Sequence, residues 1–100
     1  MLENVSKSDF DKYLSQNFRL EAGDESLDLH LSEVSALSEA ARVPEGREPF
    51  SVIFLGPKNR HLDQQIYTVS HPQLGTLEVF LVPLGPDKDN SGLRFEAVFT

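Results

Sequence analysis

The sequence predicts a mainly β (α+β) domain: about six antiparallel strands forming a small barrel or two-layer sandwich, with one short N-terminal helix packed on it. Three observations carry this. The apolar period changes from 3.6 to 2 after the first helical stretch. Short apolar runs are punctuated by Gly and Pro. The links between those runs are too short, or too irregular, to hold the helix of a parallel crossover. The hundred residues, 39% hydrophobic and 25% charged, suit a single domain over 1–100.

The helix is expected to start in 5–10. Ser6 is placed to cap, Asp9 completes an S-x-x-D box and Val5 is placed to staple onto Phe10. Phe10, Tyr13 and Leu14 then form one apolar stripe. At about ten residues such a helix is marginal alone and needs a sheet beneath it.

A hairpin follows. Phe18, Leu20, Leu27, Leu29 and Leu31 alternate with Arg19, Glu21, Asp28, His30 and Ser32 around a turn at Gly23 and Asp24, which puts the first set inside and the second in water. The stretch 35–47, with Pro44 and Gly46, reads as a loop. Beyond it, 50–55, 66–69, 76–82 and 93–99 read as strands that stop at Gly56-Pro57, at His71-Pro72, at Pro83 and at the end of the sequence. The runs 50–55 and 77–82 are apolar enough to be covered on both faces. In the last strand Leu93, Phe95, Ala97 and Phe99 face inward and Val98 outward. An antiparallel meander is the expected topology, and no internal repeat is visible.

Composition narrows the function. Nine basic against sixteen acidic side chains give a net charge of −7, of which −5 lies in residues 1–47 and −2 in 48–100. A field of that sign repels phosphate backbones, and no basic run interleaved with aromatics overrides it, so no nucleic-acid partner is expected. No apolar run approaches the length of a spanning helix, and the N-terminal residues lack a signal-like apolar core, so no membrane partner is expected either. The absence of cysteine removes disulfides and thiolates and fits a cytoplasmic location.

Chemistry-bearing constellations are sparse. His30, His61 and His71 have no second ligand at a metal-site spacing, and Asp87 and Asp89 make only a fragment of a calcium loop. No serine sits in a nucleophile elbow, and no Gly-rich loop opens a helix, so neither a catalytic residue, a cofactor nor a metal is expected. Lys58, Arg60 and His61 form the one locally basic loop, a candidate contact for an anion. The last strand offers an edge for a protein partner or for self-association.

Four motifs recur in order: Arg47-Glu48-Pro49-Phe50-Ser51 running to Phe54, Gly56 and Pro57; Tyr67 with His71-Pro72 and Leu74-Gly75; Phe80-Leu81-Val82-Pro83 with Gly85-Pro86; and Glu96-Ala97-Val98-Phe99. With Asp9-Phe10, Leu14 and Phe18-Arg19-Leu20 they resemble a family of short bacterial domains of unknown function over nearly the whole chain. The segment Leu62-Asp63-Gln64-Gln65 departs from the family pattern, which often has a proline and a glycine there. The resemblance implies a bacterial, single-domain, mostly β protein and brings no assigned catalytic or binding residue. Such domains are associated with neighbourhoods encoding phage-tail-like proteins, so an accessory role in a larger assembly is one implication.

The polar residues within these motifs are Arg47, Glu48, His71 and Glu96, a candidate polar cluster. The leading expectation is a non-catalytic structural or protein-interaction module. A small-ligand-binding barrel with Phe50, Phe54, Tyr67, Phe80 and Phe95 around its mouth is the alternative, and an enzyme pairing His71 with Glu48 or Glu96 is a weaker one.

Overall fold

The computed structural model describes residues 7–36, 49–58, 62–88 and 92–99. One helix, α1 (Lys7–Asp11), precedes six strands: β1 (Asn17–Ala22), β2 (Glu25–Ala36), β3 (Phe50–Gly56), β4 (Gln65–His71), β5 (Gly75–Pro86) and β6 (Leu93–Phe99). All neighbouring strands are antiparallel, and they close into a barrel in the order β1-β2-β3-β6-β5-β4. Closure settles barrel against sandwich and corrects two expectations. The topology is not one meander but two, β1-β2-β3 and β4-β5-β6, joined through β3–β6 and β1–β4. And β6 offers no open edge of the kind expected, because it pairs with β3 along its length and with β5 from Leu93 to Glu96.

The two meanders are related by a topological two-fold: exchanging them leaves the strand order unchanged and the registers matched, except over the two positions by which the bulges of β2 and β5 are offset. Phe18↔Leu29 and Leu20↔Leu27 in the first correspond to Tyr67↔Val79 and Val69↔Leu77 in the second. Leu20↔Val69 and Ile53↔Glu96 sit where the axis passes through the joining ladders. The middle strands, β2 and β5, are both twelve residues long and carry one bulge each, at Leu31/Glu33 and at Pro83/Gly85. A bulge bends a strand, and here it lets each long strand pair with one neighbour in its first half and another in its second. Pro83 therefore does not end β5 as expected. It lies opposite Phe95 beside the bulge, where a missing N–H is tolerated.

The interior holds Leu27, Leu29 and Leu31 from β2 facing Leu77, Val79 and Leu81 from β5, with Phe18, Leu20, Val52, Phe54, Val69 and Phe95 between them. On β3 and β6 two volumes are exchanged across the two-fold rather than repeated. Phe54 on β3 corresponds to Ala97 on β6, and Gly56 to Phe99, so each of these two rings has a small counterpart. Where β6 begins, a Cβ on Gly92 would stand 2.6 Å from the Gly56 carbonyl oxygen, so the chains approach there as closely as glycine allows.

The segment before each meander covers one end of the barrel. Before β1 it is α1, shorter than the sequence predicts: five helical residues followed by tightened turns in which Tyr13 N–H donates to Phe10 O (2.9 Å) and Gln16 N–H to Tyr13 O (3.0 Å). Ser15, at φ 72°, then turns the chain so that its N–H reaches Leu31 O and Gln16 O receives Leu31 N–H, both at 2.9 Å. Phe10 is the plug, its ring centroid 5.3 Å from Phe99, 5.7 Å from Phe50 and 6.0 Å from Phe18. Leu14, expected in the same stripe, is instead 44% exposed, because the helix has ended before the stripe reaches it. Val5 and Ser6, the expected staple and cap, lie outside the described residues. β4 runs antiparallel to β1 and so starts at the other end of the barrel, where Leu62 packs on the core.

Other boundaries and faces also shift. β2 runs to Ala36, past the expected loop start at Ser35, and residues 37–48 lie outside the described set. β5 is not covered on both faces but alternates, with Glu78 and Phe80 exposed. β3 comes closer to that expectation, with Ser51 buried and Ile53 and Leu55 half-buried.

Candidate functional site

His71 is, with Ser51, one of the buried polar side chains among the described residues. β4 ends on it because Pro72 follows, and the turn returns through Gly75 at φ 97°. The imidazole is buried against the Tyr13 ring (4.3 Å between centroids) and the Phe18 ring (4.8 Å). Nδ1 accepts the Gln73 and Leu74 backbone N–H groups at 3.1 and 3.4 Å, which places the proton on Nε2, 2.7 Å from Gln16 Oε1. Burial pushes its pKa below 6.5. Both nitrogens of this neutral ring are thus engaged in joining the β4–β5 turn to the segment after α1, so the histidine expected at an ordinary turn is a buried fastening.

Beside it lies an open depression of about 430 Å³, lined by Asn17, Phe18, Arg19, Asp28, Ser70, His71 and Pro72. Arg19 stands opposite both Asp28 and Ser70 in the ladders, so a cation, a carboxylate and a hydroxyl share its floor.

The structure does not bring His71 and Glu96 together. His71 pairs with Gly75 and Glu96 with Val82, seven positions further along β5, or roughly 23 Å at about 3.3 Å per residue. That separation removes the His71–Glu96 acid–base pair. Arg47 and Glu48, the other members of the expected cluster, lie outside the described residues, as do Arg60 and His61. Lys58 is exposed just after β3. Of the aromatics expected around a barrel mouth, Phe50, Phe54, Tyr67 and Phe95 are core side chains and Phe80 faces outward. Phe50 and Phe99 stack at 4.8 Å, and the Tyr67 hydroxyl donates to Asp63 O at 2.8 Å. The Tyr67 pKa is raised, first by burial and then by the Asp63 charge. Asp87 N–H closes the β5–β6 connection onto Gly92 O at 2.8 Å, while Asp89 lies outside the described residues. Among the described residues no three His, Cys, Asp or Glu side chains converge as a metal site, and no helix is long and apolar enough to cross a membrane.

A family model spans residues 5–99, nearly the full chain. The chain belongs to the family described as Domain of unknown function (DUF6916). No curated protein and no solved structure matches it. The DUF6916 match runs through both meanders, so the two-fold barrel described above lies within one family unit.

The feature of this DUF6916 domain that the sequence reading missed is on its outer wall. Ile66 and Phe80 face each other across β4 and β5 and are 63% and 49% exposed; Val98 on β6, expected to face outward, is 54% exposed and extends the same wall. The signal was present in the alternation Leu77, Val79, Leu81, which puts Phe80 on the opposite face of the strand from its apolar neighbours.

Proposed function

We propose that this domain is a non-catalytic structural or protein-interaction module, an accessory to a larger assembly. The observation that supports this most is the exposed apolar pair Ile66–Phe80 on the outside of a barrel whose large rings are packed within. An apolar pair that contributes nothing to the core gains free energy by being covered, and surfaces of that kind are used for docking. The engaged nitrogens of His71 fit the same reading, since they leave its ring as part of the scaffold. A cytoplasmic setting fits a cysteine-free chain.

The test is isolation of the tagged protein from its source cell under native conditions, with chemical cross-linking and mass spectrometry. A complex of fixed stoichiometry is the expected result, and a monomer that carries no partner at cellular concentration contradicts it.

A further inference from the structure

The two-fold of the barrel supplies an internal control for its outer surface. The positions of Ile66 and Phe80 on β4 and β5 correspond to Asn17 and His30 on β1 and β2, likewise an exposed cross-strand pair. There the side chains are polar and face each other, His30 Nδ1 lying 3.4 Å from Asn17 Oδ1. The same backbone therefore accepts a polar pair on one wall and carries an apolar pair on the other, so the fold does not require Ile66 and Phe80 to be apolar.

The neighbours of the apolar pair are acidic. Glu78 precedes Phe80 on the same face of β5, and Glu96 lies across from Val82 and next to Val98 on β6. Arg94, the cation on these strands, follows on the far side of Glu96, away from Phe80. Resting on the interaction-module reading, we infer that the outer wall of β4, β5 and β6 docks a protein partner whose contact surface is apolar and flanked by Lys or Arg. A second copy of this chain fits poorly. A two-fold contact centred on Phe80 would bring Glu78 and Glu96 of both copies into one interface and oppose two molecules of charge −7.

Two short synthetic peptides, one alternating Val with Lys and the other Val with Glu, test this when titrated into the isotope-labelled full chain and followed by amide chemical shifts. The Lys peptide is expected to shift Ile66, Phe80, Val82 and Val98 and to bind about three- to tenfold more tightly than the Glu peptide at low salt, a preference that fades at about 1 M salt. Phe80→Ser is expected to remove the binding and Phe80→Leu to keep most of it. Glu78→Lys combined with Glu96→Lys is expected to reverse the preference. Shifts confined to another wall, or equal binding of the two peptides, overturn the inference. So does concentration-dependent self-association that Phe80→Ser abolishes. In those cases a partner found by native isolation still supports the module, whereas a chain with no partner there removes the module itself.

Discussion

Asn17 and His30 on one half of the barrel and Ile66 and Phe80 on the other occupy corresponding places on the same kind of strand pair, and only the second pair is apolar. Inside, the two halves also diverge, but in a compensating way, with Phe54 against Ala97 and Phe99 against Gly56. The interior differences conserve volume and follow from the need to fill one space. Those on the outer wall compensate for nothing within the domain. What a packed fold leaves unexplained on one side of its own symmetry is the best place to look for what it does.

The two ends of the barrel should differ most in stability. Phe10→Ala is expected to cost about 3–5 kcal/mol in urea unfolding, because it empties the plug among Phe18, Phe50 and Phe99. Leu62→Ala at the other end, where the side chain is half-buried, is expected to cost roughly 1–2 kcal/mol. Equal losses would mean that the two caps do the same work. Next in size is Gly92→Ala, whose Cβ meets the Gly56 carbonyl, at about 1–3 kcal/mol. A wild-type unfolding midpoint for that variant would contradict the close approach of β3 and β6.

The pH dependence should also separate the halves. Because burial holds the His71 pKa below 6.5, the unfolded chain binds a proton more readily than the folded one. Its contribution is complete above about pH 6.5 and is lost as the pH falls through that value toward the folded-state pKa. Protonation at Nδ1 would displace the Gln73 and Leu74 N–H groups, while Arg19 and Asp28 remain as the charges lining the adjoining depression. Urea midpoints followed from about pH 8 to about pH 5.5 should fall, and His71→Asn should flatten the fall in that window. A slope unchanged by His71→Asn would mean that other groups carry it. The smallest stability effect belongs to the outer wall: Phe80→Ser or His30→Phe should move stability by no more than about 1 kcal/mol.

Much of the architecture was legible in the sequence because it depends on local pattern. The alternation of Phe18, Leu20, Leu27, Leu29 and Leu31 gave a hairpin with its inward face, and the Gly and Pro positions marked most strand ends. Closure was not legible, because the pairing of β1 with β4 and of β3 with β6 joins residues far apart in the chain. The two-fold was hidden for a related reason. Corresponding positions share burial but seldom identity, Leu27 with Leu77 and Leu31 with Leu81 being exceptions. Of the candidate site, His71 was singled out for its neighbours in sequence, whereas its partner Gln16, fifty-five residues away, could come only from the fold.

The asymmetry of the two walls can be measured in the source cell with a photo-reactive amino acid placed at position 80 in one variant and at position 30 in another. A protein cross-link is expected from position 80 and none from position 30. Equal cross-linking from both positions, or cross-linking from position 30 alone, would contradict it.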